Sequence, residues 1–226
     1  MTIAKGPIEA RASALRPTPS LSCSLCPRLV AFRDDNAEAF PDWHNAPVPS
    51  FGSEGARLLI VGLAPGLRGA NRTGRPFTGD YAGDLLYPTL IRYGFAKGSF
   101  GARSDDGLTL IDCRITNAVR CVPPANKPVG AEINGCRTFL EGELSGPSAP
   151  AVIMTLGGIA HGSTLRALGF AAKAYPFVHG AVYRLPDGRA LCPSYHCSRY
   201  NVNTGRLTPT MFEAVVAEIR RRFFQG

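Results

Sequence analysis

Seven cysteines and two polar stretches, the first rich in glycine, hold most of the chemistry available to this chain. Cys23 and Cys26 form a C-x2-C pair, and Cys121 and Cys136 form a wider pair with fourteen residues between them. Four thiolates in tetrahedral array suit zinc or an iron–sulfur cluster. The spacing does not separate the two, and zinc is the commoner occupant. Four unconnected core thiols are the plainer alternative. Cys113 sits in an apolar run and reads as a core thiol. Cys192 and Cys197 flank a Ser-Tyr-His segment and are alternative ligands without a closely spaced partner.

The first polar stretch, residues 62–84, reads GLAPGLRGANRTGRPFTGDYAGD, with six glycines in 23 positions. Such a loop lets backbone amides approach a ligand closely. It contains neither a Walker phosphate loop nor the G-x-G-x-x-G dinucleotide fingerprint. Asp80 can cap a following helix, and Asp84 reads as an acid in that helix's first turn. The second stretch, CPSYHCSRYN, sets His196 among Ser194, Ser198 and Arg199. His44, His161 and His179 have no comparable surroundings, and His179 reads as structural.

These residues need a scaffold, and apolar patterning supplies one. Arg57–Gly62, Leu108–Val119 and Ala151–Leu156 read as buried strands, with shorter strands at Val182–Leu185 and Ala190–Cys192 around a Pro-Asp-Gly turn. Asp80–Tyr93, Val129–Leu144 and Gly158–Leu168 read as helices. The last helix starts at Thr208 and Pro209 and turns Met211, Phe212, Val215, Val216, Ile219 and Phe223 to one side. Arg220, Arg221 and Arg222 in its final turn read as a solvated end that suits the helix dipole. Strands alternating with helices predict a parallel sheet covered on both faces, with the working loops beyond its C-terminal edge.

Residues 1–20 carry three prolines and read as a flexible leader before a single domain at 21–226. Apolar residues make up 45% and charged residues 19%, which excludes a disordered chain. No apolar run reaches the ~18 residues of a membrane span. No secretory signal is evident either, so a cytoplasmic location is expected. Lys and Arg total 25 against 17 Asp and Glu, a formal net charge of +8 that suits a polyanion partner such as nucleic acid.

Three segments, GLAPG…GANRTGRPFTGD, TNAVRCVPPANKP and SYHCSRYNVNTGRLT, resemble the signatures of the family 5 (type b) uracil-DNA glycosylases. The resemblance runs from about Cys23 to Phe212. It implies a three-layer α/β/α sandwich with a central, mostly parallel sheet. It also implies a 4Fe-4S cluster on Cys23, Cys26, Cys121 and Cys136, which replaces zinc as the expectation. The implied partner is DNA containing uracil or another deaminated base, and the implied reaction is hydrolysis of the N-glycosidic bond, with the protein acting as a monomer.

Within that reading, the target base leaves the stack and enters a pocket. Phe77 stacks on it, Asn117 reads its edge with one donor and one acceptor, and the backbone at Gly62 and Leu63 contacts it. The resemblance assigns the catalytic carboxylate to Asp80, with Asp84 second. A carboxylate stabilises an oxocarbenium-like sugar and orients water. His196 donates to the base oxygen, and Asn126 helps hold water or a phosphate. Lys127, Ser194, Ser198 and Arg199 contact the DNA backbone, and residues 200–206 enter the gap left in the duplex. Cys197, where relatives often carry Pro or Val, leaves the shape of the His196 loop open. Two other functions compete: a non-enzymatic uracil-DNA binder with a structural metal cluster, and a zinc-stabilised phosphohydrolase. The second lacks a clustered His/Asp/Glu set beyond Asp80 and Asp84.

Overall fold

Alternate residues of the central strand, β2 (Leu58–Gly62), feed two different cores, and this builds the layers. The computed structural model describes residues 18–225. Most of the expected leader, residues 1–17, lies outside the described residues. Leu58 and Ile60 face one way, into a core completed by α3 (Tyr81–Arg92) and α7 (Pro209–Phe223) through Leu86, Leu90, Phe212 and Val216. Leu59 and Val61 face the other way, against α4 (Gly130–Glu143) and α5 (Gly158–Ala167) through Leu140 and Leu165. Side chains alternate across a strand, so a strand buried on both faces reads as a continuous apolar run.

The sheet has six strands in the order β1 (Phe51–Gly52), β5 (Cys113–Asn117), β2, β6 (Val152–Leu156), β8 (Ala190–Ser194), β7 (Tyr183–Arg184). The four inner strands are parallel, and the two short edge strands are antiparallel. Register pairs Gly62 with Asn117 and Leu156 with Ser194, so the chain leaves all four inner strands along one edge. The expected three-layer sandwich with a mostly parallel sheet is the observed architecture.

Two expectations need correction. The strand expected over Leu108–Val119 is broken. Thr109–Leu110, β4, pairs instead with β3 (Ala96–Lys97) in a separate two-stranded sheet. Asp112 then adopts φ +48°, a conformation that Asp tolerates better than most residues. Its carboxylate accepts from the Arg57 amide at 2.6 Å, which ties the break to the start of β2. The strand expected to end at Cys192 continues to Ser194.

Three helices were not anticipated: α1 (Pro27–Ala39), α2 (Ala70–Thr73) and α6 (Arg199–Asn203). Asp80 caps α3, and Thr208 caps α7 by accepting from Met211 N at 3.2 Å. Among the described residues, no helix is long and apolar enough to cross a membrane.

Candidate functional site

A pocket of about 240 Å³, its open mouth included, lies at the C-terminal edge of the sheet. Ala64, Pro65, Gly66, Phe77, Asp80, Asn117 and His196 line it. Gly62, Asn117 and His196 come from the ends of β2, β5 and β8, while Phe77 and Asp80 come from the glycine-rich loop. Three segments far apart in sequence thus meet at one point, as the parallel topology requires.

Glycine is needed twice here. A Cβ on Gly62 would overlap Asn117 Oδ1 and lie 2.6 Å from the Phe77 ring. A Cβ on Gly69 would lie 2.5 Å from Asp80 Oδ2. The missing side chains let Asn117 and Phe77 pack on the strand backbone and let the Asp80 carboxylate lie against the loop. Phe77 itself adopts φ +53°, costly for a bulky residue and typical of a functional loop that its surroundings hold in place.

Those surroundings are polar and buried. Arg75 pairs with Asp106 at 2.6 Å, the two side chains only 5% and 3% exposed. Arg75 Nε also donates to Thr78 Oγ1 at 2.8 Å, and Tyr87 donates to Pro76 O at 2.6 Å. The guanidinium lies over the rings of Phe51 and Tyr87. Arg75 and Asp106 therefore bracket Phe77 from outside the pocket. Sequence reasoning missed them because the pair joins positions 31 residues apart.

Burial sets the charge states inside the pocket. Desolvation raises the Asp80 carboxyl above the ordinary Asp range, against hydrogen bonds from the Gly83 and Ala82 amides. Desolvation pushes His196 down to about 4, so its ring is neutral at pH 7. Two buried polar atoms in the wall, Asn117 Oδ1 and His196 Nδ1, have no hydrogen-bond partner among the described residues. A polar wall of this kind awaits a polar ligand.

Other expected site residues are placed differently. Leu63 is half-buried beside the pocket, and its carbonyl accepts from Val119 N at 2.9 Å. Asn126 and Lys127 are exposed on a turn after Cys121 and do not line the pocket. Ser194 corrects the expected phosphate contact. It is fully buried at the end of β8, and its hydroxyl donates to Tyr195 O at 3.0 Å. Ser198 caps α6 by accepting from Asn201 N at 3.4 Å. Arg199 is exposed over the Tyr81 ring, next to Asp80. Tyr200 beside it is 73% exposed. Asp84 is exposed on α3 and outside the pocket. His161 is structural, bonded to Tyr175 O at 2.8 Å.

A second cavity, about 310 Å³ with its mouth, is lined by Cys23, Cys26, Cys121 and Cys136 together with Leu29, Arg120 and Phe139. Arg33 Nη1 donates to Cys121 Sγ at 3.2 Å, and Arg120 N donates to Cys136 Sγ at 3.3 Å. Around one zinc ion, four sulfurs would lie roughly 3.8 Å apart. Among the described residues, no group of three or more His, Cys, Asp or Glu is placed to hold a metal ion. Four soft donors around one cavity, with N–H groups aimed at two of them, are a donor set that zinc or an iron–sulfur group can use. Cys113, Cys192 and Cys197 belong to the apolar core and not to this cavity.

The family model described as the uracil DNA glycosylase superfamily matches residues 49–220. A type-5 uracil-DNA glycosylase of Thermus thermophilus is 47% identical over 206 residues, covering 88% of this chain and 93% of the relative. One from Mycobacterium tuberculosis is 44% identical over 207 residues, covering 88% and 77%. One from Pyrobaculum aerophilum is 38% identical over 207 residues, covering 89% and 88%.

Proposed function

The chain belongs to the uracil-DNA glycosylase superfamily, and from that premise we propose that it is a monofunctional glycosylase excising uracil from DNA. The observation that carries the reading is one pocket holding a desolvated carboxylate, a neutral histidine and an unpaired amide oxygen together.

The flipped base enters the pocket against Phe77, and the Asn117 amide reads its edge. As the bond between the sugar C1′ and the base breaks, its electron pair leaves with the base, and positive charge grows on the sugar. The Asp80 carboxylate lies where it can stabilise that charge and orient a water. The water oxygen bonds to C1′, its proton passes toward Asp80, and an abasic sugar remains. A neutral His196 donates a hydrogen bond to the base oxygen as negative charge develops there. A preorganised neutral donor serves here without a second buried charge.

Arg199, Lys127 and Asn126 are exposed and would serve as phosphate or solvent contacts, and the net charge of +8 favours DNA. The α6 turn with Tyr200 is the segment offered to the gap in the duplex. Other deaminated bases are within reach of the same chemistry. Such a protein works in the compartment that holds the DNA, in keeping with a cytoplasmic location, and it acts as a monomer.

Cys23, Cys26, Cys121 and Cys136 would hold a 4Fe-4S cluster, whose contribution when bound is a structural cross-link between the start of α1 and the 121–136 segment. Hydrolysis needs no electron transfer. The test is incubation with a uracil-containing duplex in excess chelator. Free uracil should appear, and the strand should stay intact until alkali cleaves it. Strand scission without alkali, or loss of activity in chelator together with rescue by a divalent ion, would contradict the reading.

A further inference from the structure

Nothing among the described residues hydrogen-bonds His196 Nδ1. The direction of that ring is therefore set by the backbone that carries it and by packing against Phe77, whose centroid is 5.8 Å away. The backbone is held at two points. Downstream, Asn201 Nδ2 donates to His196 O at 2.8 Å. Upstream, the Tyr195 amide donates to His179 Nδ1 at 3.1 Å.

The His179 imidazole also stacks on the Tyr195 ring at 4.8 Å and 3°. Arg206 covers the Tyr195 ring at 4.9 Å. Next to His179, Gly180 N donates to Pro193 O at 2.9 Å, which docks the histidine's own turn on β8. Accepting at Nδ1 leaves the ring proton on Nε2. One imidazole therefore joins the 178–181 turn to the amide immediately before His196.

We propose that His179 is a positioning residue for His196, its Nδ1 fixing the Tyr195 amide and with it the backbone from which the His196 ring enters the pocket. The proposal rests on the reading that His196 acts on the departing base. Small displacements of a catalytic group cost on the order of 100-fold in rate per ångström, while ground-state binding through phosphates is made elsewhere.

The test compares His179→Ala, His179→Asn and His179→Gln. The readouts are single-turnover release of uracil, affinity for the uracil duplex, thermal midpoint and the NMR signals of the His196 ring. His179→Ala should lose roughly 10–100-fold in single-turnover rate with duplex affinity within about twofold of wild type. Asn carries an acceptor at the Nδ1 position and should restore most of the rate. Gln places its acceptor one bond further out and should restore less. The His196 signals should shift in the Ala variant and return in the Asn variant.

Wild-type rate in His179→Ala, or equal loss in all three variants, would overturn the proposal. If the Ala variant fails to fold, the contrast between Asn and Gln decides. If wild type releases no uracil, the excision reading fails by itself, and the His196 signals still decide whether His179 positions that ring.

Discussion

Asp80 and His196 answer the same burial in opposite ways, the carboxyl rising and the imidazole falling. Both shifts favour the uncharged form. The proposed mechanism needs Asp80 ionised, so base release should fall on acidification at a pH above the ordinary Asp value of ~3.9. A pH–rate profile of single turnovers checks this. The raised folded value also means that folding is favoured more when the group is uncharged, and that contribution is lost as pH rises through the folded value. Asp80→Asn should therefore abolish release, spare duplex binding and melt higher than wild type at pH 7.

His196 has the opposite sign. Between about 6.5 and 4 the unfolded chain binds a proton that the folded chain does not. Stability should fall as pH drops through that window, and His196→Asn should flatten the fall in urea titrations. Removing the donor should also cost ~10²–10³ in single-turnover rate.

At this scale much was legible. Phe77, Asp80, Asn117 and His196 stand in distinctive segments, and the fold brings all four to one pocket. Ser194 and Asn126 came from the same segments but lie inside the sheet and on an exposed turn, respectively. Motif membership does not say which way a side chain faces. His179 was read only as structural, because its bond to the Tyr195 amide crosses 16 positions.

Among the elements, the glycine-rich loop depends on an ion pair outside the pocket. Removing Asp106 would leave Arg75 charged and buried, and breaking such pairs costs about 3–5 kcal/mol. Asp106→Ala should lose stability of that order in urea denaturation and should slow base release as well, since Phe77 holds a positive φ only while its loop is clamped. The buried parallel strands and helices α3, α4, α5 and α7 were readable from apolar runs and periodicity. Helix α1 was not, because its buried residues are Leu29, Arg33 and Asn36, too polar a set to mark a face. The break at Asp112 was hidden because apolar residues stand on both sides of it.

Over the whole molecule, two regions are tied by one short segment. Residues 117–121 run from Asn117 in the pocket wall to Cys121 in the cysteine cavity, and Ala118 N and Val119 N bond the carbonyls of Gly62 and Leu63 at 2.9 Å. Cys26→Ala should therefore lose visible absorption and lower the thermal midpoint. A colourless variant as stable and active as wild type would contradict the structural role. Arg199→Ala should weaken binding and reduce the slope of log K against log salt by about one phosphate contact, and an unchanged slope would remove Arg199 from the interface.

The most direct test of the central claim is release of base from a duplex with one uracil opposite guanine, followed by alkali, for wild type and Asp80→Asn in parallel. Wild type should convert the duplex fully to alkali-labile product, while Asp80→Asn binds it and leaves it uncut. Tight, uracil-dependent binding by wild type without release would make the protein a binder and contradict the account.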